Sequence, residues 1–144
     1  MGDAVMTTAD SRPRLLPTLA VGAAAGLAGA LVLGVTQGLA GERALELGYW
    51  ALALGLLVGA VVGRAGEQAR GSALLAIPVA LVGVLLTQIT ATAVYLGTAN
   101  AVDAYDFWNA EVFGKNDMSF LLVAGAEAFL VSQRVSEIRN RMSQ

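Results

Sequence analysis

From Leu47 to Val62 the chain carries no charged side chain, and few folds can accommodate such a stretch. Written out to Gly66, LGYWALALGLLVGAVVGRAG has aromatic Tyr49 and Trp50 at one end and Arg64 at the other. That is the pattern of a helix crossing a bilayer with an interfacial anchor on each side. Gly55, Gly59 and Gly63, preceded by Ala51, recur every four residues and leave a groove where another backbone can come close, a glycine zipper.

With 56% apolar and 14% charged residues over 144 positions, a water-soluble domain would expose more apolar surface than it could hide. A bilayer removes that conflict. The net charge of −2 and the scattered basic residues give no basis for nucleic-acid binding. Cysteine and histidine are both absent, so disulfides, thiolate chemistry and His-ligated metal or haem are excluded. No nucleophile with a base, metal cluster or phosphate loop is visible, and neither enzymatic activity nor a cofactor is expected.

The first fourteen residues, MGDAVMTTADSRPR, lack an apolar pattern and are expected to form a mobile cytoplasmic tail. The apolar segment from Leu15 to Ala40 is much longer than the roughly 7–15 residues of a signal-peptide core, so it is expected to remain as the first helix. It carries Gly22, Gly26, Ala30, Gly34 and Gly38, again at spacing four. Because only Gly41-Glu42-Arg43 separates it from the second segment, the two should be antiparallel neighbours whose small-residue stripes face each other.

Four spans are expected, at about 15–40, 44–63, 73–96 and 118–133, within a single domain covering 15–144. The third should start at a Gly71-Ser72 turn and cap, bend at Pro78, and carry Thr87, Gln88, Thr90 and Thr92. Threonine hydroxyls can bond the carbonyl one turn back, but the Gln88 amide needs a partner from another helix. Between the third and fourth spans, Val102, Tyr105, Trp108 and Val112 follow a helical spacing that suits a short interfacial helix anchored by its aromatics. A cation site from Asp103, Asp106, Asn109 and Asp117 lacks both an EF-hand spacing and a glycine turn, and no metal is expected. Beyond Gln133 an apolar stripe of Val135, Ile138 and Met142 continues among Arg134, Glu137, Arg139 and Arg141, so the last helix should run on past the lipid core.

Charge sets the expected orientation. With the N-terminus inside, cytoplasmic segments hold Arg12, Arg14, Arg64, Arg70, Arg134, Arg139 and Arg141, against Arg43 and Lys115 outside. Both termini are then cytoplasmic, and the acidic loop lies outside.

Glu127 is the one acid well inside a span. Counting about 1.5 Å per residue puts it near the midplane, with Thr87 and Gln88 about one turn further out and Gln37 further still. A lone carboxylate there is costly, so the side chain is expected either as the neutral acid or bonded across to the Thr87 and Gln88 region, with Ala124, Gly125, Ala126 and Ala128 letting the helices close on it.

The second-span pattern, followed by a third helix ending in Tyr95 and an acidic loop before a last short helix, resembles small four-helix bacterial integral membrane proteins of uncharacterised function. The resemblance implies an inner-membrane protein and no particular activity. The residues therefore predict an all-α membrane protein with four transmembrane helices and a short interfacial helix between the third and fourth. Its expected role is that of an accessory, scaffold or assembly subunit, whose partners are membrane lipid and either other membrane-protein subunits or a second copy of itself. The alternative is a small homo-oligomeric channel or transporter in which Glu127 handles a proton or cation.

Overall fold

The computed structural model describes residues 15–45, 48–66 and 69–144. The expected tail over residues 1–14, with Arg12 and Arg14, lies outside them. The fold is all-α: α1 (Leu15–Leu39), α2 (Gly48–Ala65), α3 (Ala69–Leu96), α4 (Ala101–Phe107) and α5 (Lys115–Met142). α1, α2, residues Ala73–Leu96 of α3 and residues Met118–Met142 of α5 are each long and apolar enough to cross a membrane, so the chain is a multi-pass membrane protein.

Helix ends fall where the backbone chemistry stops them. α1 finishes just before Gly41 and α3 just before Gly97, the two positive-φ residues among the described ones (94° and 65°). After α3 the Thr98 amide reaches back to the Ala93 carbonyl at 3.0 Å and the Gly97 amide to Val94 at 3.2 Å, closing the helix with a glycine-centred cap. Asn100 then opens α4, its side-chain oxygen accepting the Val102 amide at 3.0 Å.

Several boundaries differ from expectation. A 3-10 turn, Glu42–Leu45, stands between α1 and α2, so the second span is Gly48–Ala65 rather than one starting near residue 44. α3 already runs at Ala69, which places Gly71 and Ser72 inside the helix rather than in a cap; neither Gly nor Ser forbids helical backbone. Pro78 lies within α3, which continues through it. α5 starts at Lys115, slightly before the expected span, and runs on as a single helix to Met142, the extension past Gln133 that its apolar stripe implied.

The largest contacts are between α1 and α3 and between α2 and α5, with α3–α5, α1–α2 and α2–α3 contacts completing the bundle. α1 and α3 run in the same direction, as do α2 and α5, so the tightest seams join parallel helices that are not consecutive in sequence. The interior is apolar: Leu54, Val58 and Val62 of α2 meet Ala76, Ala80 and Val84 of α3 and Ala124 and Ala128 of α5.

α4 closes one end. It passes into a π turn, Trp108–Val112, where the Phe113 amide bonds the Trp108 carbonyl at 2.7 Å. Trp108 itself follows α4 in regular helical register, its amide bonding the Ala104 carbonyl, and so shares the inward face of buried Ala104. It is 3% exposed, belongs to the core cluster and packs on Phe113 with ring centroids 4.9 Å apart. Trp108 is therefore a plug in the end of the bundle, while Tyr105 and Val102 stay exposed, which corrects the expectation of one continuous interfacial aromatic face.

At the opposite end, the last carbonyls of α2 are satisfied by side chains from other helices. Ser136 donates its hydroxyl to the Gly63 carbonyl at 3.0 Å, Arg139 a guanidinium N–H to that of Arg64 at 2.7 Å, and Thr18 its hydroxyl to that of Ala65 at 3.4 Å. A helix end leaves such carbonyls without intrahelical donors, so these bonds tie α1 and α5 to the end of α2.

Candidate functional site

The glycine stripes do not face each other. On α2, a methyl group placed on Gly55 would lie 2.8 Å from the Ala124 carbonyl oxygen, one on Gly59 2.7 Å from that of Ala128, and one on Gly63 2.7 Å from that of Ser132. All three neighbours are backbone atoms of α5. On α1, Gly34 abuts Thr90 and the Thr87 carbonyl, and Gly38 abuts the Ala91 carbonyl and Val94, all on α3. Gly22 and Gly26 lie between helices, against Val62 or Val58 of α2 and Val79 of α3. Ala30 is buried at 1% exposure.

Direction and surface shape account for this pairing. α5 carries Ala124, Ala128, Ser132 and Ser136 at the same spacing of four, and in parallel helices Gly55, Gly59 and Gly63 each meet the matching step of that row. A row of short side chains fills a glycine groove at near-contact distance. α1 and α2 meet instead through Val62, Val58, Leu57 and Leu54, which press on Gly22, Gly26 and Gly29. The α5 row is visible in the sequence, where Ser132 and Ser136 continue Ala124 and Ala128 at spacing four, but a glycine pattern alone does not reveal it.

Polar side chains of α1 and α3 are used within the bundle. Gln37 and Gln88, both fully buried, form a reciprocal amide pair in which each Nε2 donates to the other's Oε1 at 3.3 Å. Gln88 thus takes its partner from α1, and that partner, Gln37, is the residue whose depth had excluded it as a partner for Glu127. Thr87 donates to the Gly83 carbonyl one turn back at 2.9 Å, the bond expected of an intramembrane threonine.

Glu127 consequently meets neither Thr87 nor Gln88. Its Oε2 is enclosed without any hydrogen-bond partner and sits in the α2–α5 seam, 3.2 Å from where a Gly55 Cβ would be. The side chain as a whole is only half-buried, between exposed Val123 and Leu130 on its own helix and beside Leu56 of α2. Ala124 and Ala128 do let α2 close on this level, but Gly125 faces Ile77 and Leu81 of α3, and Ala126 is exposed. An acidic side chain at the centre of a membrane helix costs about 2.5–3.5 kcal/mol on insertion scales. Thr92 Oγ1, Ser132 Oγ and the Trp108 indole N–H are likewise buried without partners.

Two other features are peripheral. Asp103, Asp106, Asn109 and Glu111 are exposed around α4 and its π turn. A wholly apolar recess of about 330 Å³ opens between α1 and α3 beside Pro78, lined by Leu19, Gly26, Leu27, Val79 and Val82.

What fold and seams define is a polytopic helical membrane protein held by two small-residue seams. Compared with family models, with curated proteins and with solved structures, the chain finds no match.

Proposed function

We propose that this protein is a non-catalytic accessory or assembly subunit of a bacterial inner-membrane complex, with both termini in the cytoplasm. One observation supports the reading above others: α5 runs past the end of α2 as a continuous arm, fixed there by Ser136 and Arg139 and leaving Ile138 and Met142 56% and 77% exposed. A rigid arm with an apolar and basic surface, held at a defined angle to the membrane, suits docking of a neighbouring subunit. The bundle beneath it supplies a scaffold, because its core is filled with apolar side chains, Gln37 and Gln88 bond each other, and Thr87 and Ser136 bond backbone carbonyls.

Purification of the tagged protein from its host in a mild detergent tests this reading. A stoichiometric larger complex, lost on truncation after Ser136, is the expected result; a chain that migrates alone refutes it. The second reading, a homo-oligomeric channel or transporter, draws on the unsatisfied Glu127 oxygen. Proton or cation flux in liposomes that disappears in a folded Glu127→Gln variant would favour it over the accessory role.

A further inference from the structure

We infer that Arg64 and Arg139, brought together where α2 ends against α5, form a binding site for the phosphate of an anionic phospholipid headgroup. The inference goes beyond the accessory-subunit reading and does not rest on it. α2 has 18 residues, a length of about 27 Å against a hydrocarbon core of about 30 Å, so it needs its whole length to cross and its last turn, with Arg64, stands at headgroup depth. Arg139 is fixed at the same depth, because it donates a guanidinium N–H to the Arg64 carbonyl at 2.7 Å.

Neither arginine answers an acid. Among the described residues the ion pair at this end joins Arg134 to Glu137 at 3.4 Å, which leaves Arg64 and Arg139 without a carboxylate. The Arg64 side chain is exposed and that of Arg139 half-buried. A guanidinium carries five N–H donors in a planar fork, and Arg139 spends one of them on the carbonyl. That bond holds the fork in place and lowers the ordering cost of a further, charge-assisted contact. The carbonyls that would repel an anion at a helix C-terminus are covered, Gly63 by Ser136, Arg64 by Arg139 and Ala65 by Thr18. Two uncompensated cations on a capped helix end match one phosphate, and the bilayer supplies phosphates at that depth. An anionic headgroup suits the pair better than a zwitterionic one, whose own ammonium competes with the arginines.

The test titrates the full-length protein, stripped of lipid in a mild detergent, with phosphatidylglycerol or phosphatidylcholine and counts bound lipid by native mass spectrometry. Since each arginine near a membrane surface is worth roughly five-fold in anionic-lipid affinity, one phosphatidylglycerol is expected to bind at least about ten-fold more tightly than phosphatidylcholine. Arg64→Gln keeps the backbone carbonyl and so the Arg139 bond; it should weaken phosphatidylglycerol about five-fold with thermal unfolding unchanged. Arg64→Gln combined with Arg139→Gln should abolish the preference. Arg134→Gln combined with Arg141→Gln removes the same charge from the same end and should leave the preference intact.

Equal binding of the two lipids overturns the inference, and so does a preference that falls as far without Arg134 and Arg141 as without Arg64 and Arg139. Displacement of phosphatidylglycerol by an equal concentration of inorganic phosphate would make the ligand a soluble anion and overturn the lipid assignment. A need for Arg64 and Arg139 in retaining a neighbouring subunit, with no lipid preference, would give them to a protein contact instead. A chain that purifies alone yet keeps the phosphatidylglycerol preference would remove the accessory reading and leave this site standing.

Discussion

Adding one methyl group to Gly59 tests the α2–α5 seam at its centre. The new Cβ of Gly59→Ala would lie 2.7 Å from the Ala128 carbonyl oxygen and 3.0 Å from both Ala128 Cα and Val131 Cβ. Comfortable carbon contacts begin at about 3.5 Å, so the helices must part by roughly 0.5–0.8 Å. Two of the three obstructing atoms are backbone, and no rotamer change can move them aside. Overpacking of this kind costs about 1–3 kcal/mol, and a gap of that width also forfeits part of the dispersion along the rest of the seam.

Gly26 supplies the control. A methyl group there would meet Val79 Cγ1 at 3.4 Å, the Val79 carbonyl oxygen at 3.7 Å and Val58 Cγ2 at 3.8 Å, all ordinary contacts. With room available, Gly26→Ala should be neutral or stabilise by up to about 0.5–1 kcal/mol through reduced backbone freedom in the unfolded chain. The two variants make the same chemical change in buried stripes of the same kind, so composition alone predicts equal effects. The assay is reversible unfolding in mixed detergent and SDS micelles, followed by far-UV circular dichroism and by the fluorescence of Trp50 and Trp108. Gly59→Ala unfolding at wild-type SDS fraction, or Gly26→Ala losing as much stability as Gly59→Ala, would refute the assignment of the seams.

Three further outcomes are expected. Gln88→Leu should cost about 1–3 kcal/mol by stranding the buried Gln37 amide, while the double change of Gln37 and Gln88 to Leu should cost less than the sum of the single changes; an additive cycle would mean that the pair is not coupled. Trp108→Ala should destabilise by about 3–5 kcal/mol as a core residue would, and Tyr105→Ala, 44% exposed, by well under half of that; equal effects would return Trp108 to the lipid interface. Ser136→Ala combined with Arg139→Ala should raise hydrogen exchange at the start of the α5 arm and at the end of α2 without lowering protection of the Leu54–Val58 core; unchanged exchange would show that the caps do not hold the arm.

How much of this could be read from residues alone depends on whether a feature is local or paired. The four apolar helices and the short helix after α3 are local, since each is dictated by its own hydropathy and by glycine or asparagine at its ends, and these were legible. The glycine stripes were legible as surfaces, but their partners were not. Trp108 turns inward on the face of Ala104, four residues before it, and the large aromatics, read as interfacial anchors, hid the small residue that marks that face. Gln88 was legible as a residue needing a partner, and Gln37 was not legible as the one to supply it.

Pairing follows a rule that combines depth with direction. A glycine row admits a second backbone only where a row of equal pitch presents short side chains at matching depths; elsewhere larger side chains fill it. Consecutive helices run in opposite directions and meet at matching depths at whatever faces their connection allows. The 3-10 turn Glu42–Leu45 sets that connection between α1 and α2, and they meet through valine and leucine against glycine. Helices two apart in the bundle run the same way, and there Gly55, Gly59 and Gly63 meet Ala124, Ala128 and Ser132 step by step, while Gly34 and Gly38 advance along Thr87, Thr90, Ala91 and Val94. Each seam then places its polar group according to register. On α1 and α3 two amides fall opposite each other and satisfy one another. On α2 and α5 the residue opposite Glu127 is Gly55, which has no side chain to answer it, so the same close packing that holds the bundle together encloses Glu127 Oε2 in the seam without a partner.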